Sequence, residues 1–384
     1  MSRLDELIKE FCPDGVEYCK IDDVVDINIP PIKIKNKDIK EFGKYPVIDQ
    51  GQNFICGYTD KIQALLPINE YIIFGDHTEG IKFVNFSFAQ GADGIKILTT
   101  KDNIAKYIYY SFQSCYTKTG KYTRHWSNAK NTRIPIPHPK IQREIVRILD
   151  NFTELTAELT AELTARKKQY EYYRDSLLTF GGDVPMMRLG DIATDIYRGS
   201  GIKRDEITTA GIPCVRYGEI YTTYNVWFDQ CVSHTVEEKI VNRKYFEHGD
   251  VLFAITGESV EDIAKSCVYM GQEKCLAGGD LVVMKHNQNP KYIGYALSTT
   301  SARIQKSKGR VKSKVVHSNV TSISDIVIPI PSSIKEQERI VDILDRFDAL
   351  CNDMTIGLPA EIEARQKQYE YYRDKLLTFK EKQV

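Results

Sequence analysis

Two stretches of this chain concentrate positive charge without a single acid. Residues 117–133 read TKTGKYTRHWSNAKNTR and carry Lys118, Lys121, Arg124, Lys130 and Arg133. Residues 303–317 read RIQKSKGRVKSKVVH and carry Arg303, Lys306, Lys308, Arg310, Lys312 and Lys314. Each holds one glycine, Gly120 or Gly309, and each precedes an IPIP segment. Cations spaced in this way suit phosphate oxygens, and Arg, Lys, Asn128 and Gln can address base edges. His125, between Arg124 and Trp126, adds a stacking surface. A lone basic loop is usually a solvated surface. Two such loops at equivalent places in one chain are less easily set aside.

Catalytic chemistry is not visible. No GxxxxGK[ST] stretch and no GxGxxG after a strand is present, so neither an ATP loop nor a dinucleotide fold is expected. Asn289-Pro290-Lys291-Tyr292 has a faint likeness to an adenine-methyltransferase signature but lacks its second proline; it reads as a turn entering a short helix. Glu258, Glu261 and Asp262 fix no metal geometry. His77, flanked by Asp76 and Glu79, reads as a loop residue. Nine cysteines include no CxxC, which argues against a zinc module and for reduced cytosolic thiols. Lys plus Arg (52) balance Asp plus Glu (52), so the net charge says nothing of the local asymmetry. No apolar run approaches about 18 residues, and no signal peptide opens the sequence.

The elements that must position these loops occur twice. Residues 165–180 read ARKKQYEYYRDSLLTF and residues 364–379 read ARQKQYEYYRDKLLTF. IPIP stands at 134–137 and 328–331, followed by REIVRILDNF from Arg143 and ERIVDILDRF from Glu338. A spacing of roughly 195 residues is too long for a solenoid, whose period is about 20 to 50. Ile141, Ile145, Ile148, Leu149, Phe152, Leu155, Leu159, Leu163, Tyr170, Tyr173 and Leu177 recur at steps of three and four, which predicts a long amphipathic helix. The stripe is narrow and suits a coiled-coil partner better than a globular core; the other copy is the obvious one. That second copy must break or kink at Gly357-Leu358-Pro359. Between the rods, 16–137 and 182–331 carry short β-rich runs: YPVID, YIIFGD, KFVNFSF, DVLFAIT and DLVVMK. Their starts echo each other, VEYCKIDDVVDI and VPMMRLGDIATDI.

On these residues the chain resembles the DNA-sequence specificity subunits of Type I restriction–modification enzymes. The resemblance covers essentially its whole length. The most specific parts are the two IPIP preludes (IPIPHPKIQREIVRILDNF and IPIPSSIKEQERIVDILDRF), the doubled QYEYYRDxLLTF ends and a tandem TAEL run. It implies an α+β fold: two β-rich target-recognition domains joined by two long antiparallel helices forming a coiled coil, with internal pseudo-two-fold symmetry. The divisions are a helical segment 1–15, recognition domain 16–137, spacer helix 138–181, recognition domain 182–331 and spacer helix 332–384. It implies a cytoplasmic, non-catalytic protein that binds double-stranded DNA and no membrane. Its partners are two methylation subunits, carrying S-adenosylmethionine, and two motor-nuclease subunits, carrying ATP and Mg. Exposed rod residues such as Glu154, Glu158, Lys167 and Lys168 are candidate methylation-subunit contacts. Thr156-Ala157-Glu158-Leu159 and Thr160-Ala161-Glu162-Leu163 are implied to act as a ruler between half-sites. Two other classes fit less well: a coiled-coil scaffold that does not bind DNA, and a standalone DNA-modifying enzyme.

Overall fold

The computed structural model describes residues 3–91, 93–307, 310–312, 315–353 and 355–383. The chain forms two compact units, one of Met1–Thr160 with Ile362–Val384 and one of Ala161–Glu361.

The first unit begins with helix Arg3–Phe11 and the sequence Glu17–Lys20, Ile21–Val24, Val25–Asn28, which folds as strand, one helical turn and strand. Strand Val25–Asn28 opens an antiparallel four-stranded sheet with Ile95–Thr100, Tyr71–Gly75 and Ile81–Val84. A second four-stranded sheet runs Gly57–Thr59, Tyr45–Ile48, Phe88–Gln90, Leu65–Leu66, with its central pair parallel. KFVNFSF is therefore not one strand: its halves lie in different sheets, parted at Ser87, whose hydroxyl donates to the Leu66 carbonyl. Helix Ala105–Cys115 covers the first sheet, with Phe112 stacked on Phe74.

The second unit repeats this plan. Met186–Arg188, Leu189–Ile192 and Ala193–Arg198 again give strand, helical turn and strand, as the echo between the two starts suggested. Two five-stranded sheets come next, Ala193–Arg198, Leu281–His286, Val251–Ala254, Ser266–Tyr269, Trp227–Phe228, and Ile207–Thr208, Ser233–Thr235, Ile212–Val215, Cys275–Ala277, Tyr245–Phe246. Asn289 caps helix Pro290–Ser298 by accepting the Tyr292 amide, so NPKY is a turn into a helix, as its sequence indicates.

IPIP closes each unit as a strand. Pro135 sits opposite Tyr18, and Pro329 opposite Met186. Tyr107 and Tyr292 donate their hydroxyls to the Pro135 and Pro329 carbonyls, at 3.0 and 2.9 Å. A glutamine just beyond each IPIP is fully buried. Gln142 donates to Asn103 Oδ1 and the Pro137 carbonyl and accepts the Ile104 amide. Gln337 donates to Gln288 Oε1 and the Pro331 carbonyl and accepts the Asn289 amide. Asp150, held by Lys106 and Tyr110, corresponds to Asp345, held by Lys291 and Tyr295.

The first rod is one helix, Pro139–Leu177, of 39 residues, about 60 Å long. The second is two helices, Ile334–Asn352 and Leu358–Leu376, parted where Gly357 and Pro359 required it. One expectation needs correction. Ile141, Ile145 and Leu149 are fully buried in the first unit's globular core, among Ile72, Phe74, Tyr107 and Ile108. The apolar stripe begins as core and serves helix pairing only further on. Within the first unit Phe152 stacks on Tyr372 at 5.4 Å, and within the second Tyr173 stacks on Phe347 at 5.5 Å. The TAEL residues are helical and largely exposed, with Leu159 and Leu163 half-buried, and the two units divide between Thr160 and Ala161. All nine cysteines are free thiols.

Candidate nucleic-acid interface

The basic loop of the first unit is held from beneath by two carboxylates on the turn after core strand Tyr71–Gly75. Glu79 is almost fully buried, at 3% exposure, and occupies a left-handed backbone conformation with φ of 54°. Its carboxylate accepts the Thr119 amide at 2.8 Å, the Gly120 amide at 2.9 Å and the Tyr116 hydroxyl at 2.7 Å. Burial alone would raise this carboxyl. The three donors, with His125 beside them, outweigh burial and hold it at about 2. Asp76 accepts the His125 and Trp126 amides at 3.0 and 2.8 Å. The acids flanking His77 are thus the loop's foundations, a role that no local pattern announces because their partners lie 40 to 50 residues away.

The fixed loop presents Lys118, Lys121 and Arg124 to solvent, and no ion pair engages them among the described residues. Asn128 is exposed too. Tyr122, 84% exposed, leans on the His77 ring at 5.2 Å. Lys130 pairs with Asp22 at 3.3 Å, and Arg133 with Glu381 at 2.6 Å, so the far end of the run is already partly neutralised. His125 departs from expectation. It is 2% exposed and its Nε2 lies 2.6 Å from the Lys121 carbonyl. A carbonyl can only accept, so Nε2 is protonated. The ring shapes the loop from inside rather than offering a stacking face. Trp126 packs on Phe74 in the core.

In the second unit the basic run forms a hairpin, Arg310–Lys312 against Val315–His317. That hairpin pairs with Thr256–Gly257, which directly follows core strand Val251–Ala254. Both basic runs are therefore tied to the turn behind the central strand of their unit. Arg310 and Lys312 stand on the hairpin, while Lys308 and Lys314 lie outside the described residues. Lys306 must be removed from the surface set. It is 7% exposed and donates to Ser266 Oγ and the Leu297 carbonyl, both at 2.8 Å. Burial pushes its pKa down to about 7, so near neutrality it is not a full positive charge.

A family model described as the Type I restriction modification DNA specificity domain matches residues 13–166 and again 181–364. The chain belongs to this family of specificity subunits. It is 33% identical over 403 residues to the EcoR124I/EcoR124II specificity subunit of Escherichia coli, covering 99% of this chain and 97% of that one. Its fold is that of the S subunit of the type I system from M. genitalium, with a TM-score of 0.56 at 16% identity over 94% of this chain and 96% of that one. A chain from a structural study of type I assembly and conformational transition aligns with a TM-score of 0.61 at 13% identity, over 95% and 98%. Type I specificity subunits recognise DNA and are themselves non-catalytic. No group of three or more metal-ligating side chains occurs among the described residues, and no described helix is long and apolar enough to cross a membrane.

Proposed function

We propose that this specificity subunit reads a split DNA target, one half per unit, and scaffolds the enzyme that acts on it. Residues 16–137 and 182–331 are the recognition domains. Residues 138–181 and 332–384 are the spacer, in which the helices run antiparallel as a coiled coil and relate the domains by a pseudo-two-fold axis, as half-site readers require. The observation that carries this reading is the doubled basic run, tied in each unit to the turn behind the central strand. Two methylation subunits, holding S-adenosylmethionine, and two motor-nuclease subunits, holding ATP and Mg, complete a cytoplasmic complex. Exposed rod charges such as Glu154, Glu158, Lys167 and Lys168 are docking candidates for the methylation subunits.

The test is a salt titration of duplex binding by the subunit assembled with its methylation subunits. Replacing Lys118, Lys121 and Arg124 by Ala lowers affinity for all duplexes. It also flattens the log–log slope by about one unit for every phosphate that is no longer neutralised. Unchanged affinity and slope would reject the basic loop as a DNA contact.

A further inference from the structure

Beside the basic loop stands a second loop, residues 50–54 (QGQNF), that the charge pattern does not single out. It leaves strand Tyr45–Ile48 and exposes Gln52, Asn53 and Phe54. Neither the Gln52 nor the Asn53 side-chain amide has a hydrogen-bond partner among the described residues. Exposed polar loops are normally free to move; this one is bracketed from below. Half-buried Lys82 donates to the Asp49 carbonyl at 3.0 Å and the Asn53 carbonyl at 2.7 Å, gripping both ends. Thr78 donates its hydroxyl to the Gln50 carbonyl at 2.6 Å, and the Gln50 amide oxygen accepts the His77 amide at 3.1 Å. Gly94, with φ of +104°, makes room: a Cβ there would lie 2.6 Å from Gln50 Nε2. Thr78 and His77 belong to the same turn whose Asp76 and Glu79 anchor the basic loop. The two loops are therefore fixed to one support.

The cleft between them, of about 530 Å³, is lined by the amides of Gln50, Gln52 and Gln113 and by Lys82, Lys118 and Arg373, with no carboxylate. Contacts between cations and the phosphate chain carry no sequence information. Neutral, unpaired carboxamides do the reverse: Asn and Gln match the paired donor and acceptor of adenine in the major groove. We infer that Gln52 and Asn53 read base edges in the half-site served by the first unit, with Lys82 as the positioning residue that presents them.

This rests on the reading of the first unit as a DNA-recognition domain, and the experiment separates the two. The wild-type complex with its methylation subunits is titrated against its methylated target and against duplexes with one base pair changed in either half. For a variant carrying Gln52→Ala and Asn53→Ala, discrimination falls roughly ten-fold or more in one half only, while the salt slope stays that of wild type. Gln52→Glu shifts preference at one position toward cytosine, whose exocyclic amine a carboxylate accepts. Lys82→Met weakens discrimination in that same half and leaves the other half intact, which a general loss of folding would not do. Wild-type discrimination in a folded Ala variant, with no altered preference in Gln52→Glu, overturns the inference and leaves the recognition domain standing. A wild-type complex that discriminates in neither half overturns both.

Discussion

Glu79 is the buried anchor of the first basic loop. Donors from Tyr116, Thr119 and Gly120 converge on one buried carboxylate, and that convergence sets its pKa at about 2 against an ordinary value of 4.5. The folded value is the lower one, so this stabilisation is complete above about pH 4.5 and is lost as pH falls from there toward 2. Thermal melts between pH 6 and 3 should show a decline that Glu79→Gln, which cannot titrate, reduces; parallel curves for both proteins would contradict it. Lys306 has the opposite character. Its lowered pKa makes the unfolded chain bind more protons between about pH 7 and 10.5, so stability gains as pH rises through that window. Lys306→Ala is expected to lower the unfolding midpoint and leave the salt dependence of DNA binding unchanged. A flattened slope in that variant would return Lys306 to the contact set. Burial takes Lys306 out of the free charges of its run, and a string of like charges in the sequence cannot make that distinction.

The doubled elements were legible because a period repeats. Steps of three and four marked the rods, Gly357 and Pro359 marked the break, and short β-rich runs marked inner strands such as Tyr45–Ile48, Tyr71–Gly75, Val251–Ala254 and Leu281–His286. The Asn289-Pro290 turn announced helix Pro290–Ser298, whereas the sheet-covering helix Ala105–Cys115 was harder to see, since an apolar run of that length suits a buried strand equally well. The first turns of the long helix looked like a coiled-coil seam and proved to be core. A stripe reports that a face is covered, not what covers it. Gln142 and Gln337 stand five and six residues after Pro137 and Pro331. Comparing the two preludes would have flagged them; their partners would have stayed hidden. Each satisfies a partly buried loop amide and a buried proline carbonyl, so Gln142→Ala and Gln337→Ala should each cost about 1–3 kcal/mol in denaturant unfolding. A loss within experimental error would show that the buried groups find other partners. The TAEL run belongs to this scale as well. Adding four residues lengthens a helix by about 6 Å and turns its downstream part by about 40°, so Leu155, Leu159 and Leu163 keep their face. At about 3.4 Å per base pair, one extra TAEL should open the gap between methylated half-sites by one pair, two at most. Mapping methylated sites after the insertion checks this, and an unchanged gap would leave the repeat as helical filler.

As a whole, the chain forms two units of like plan, and its C-terminal segment is folded into the first: Val16 bridges Glu381, and Tyr18 donates to the Phe379 carbonyl. Each unit thereby owns a globule, the start of one rod and the end of another. Their basic runs are each tied to the turn behind a central strand but differ in sequence, as the proposed reading of two different half-sites expects. Independence of the halves is the central claim. The direct measurement is to replace residues 16–137 with the equivalent segment of a relative of known target, express the chimera with its methylation subunits, and sequence the methylated genome. The predicted result is a motif in which one half becomes the relative's while the other half and the gap stay as they were. A folded chimera that changed both halves, or neither, would contradict it.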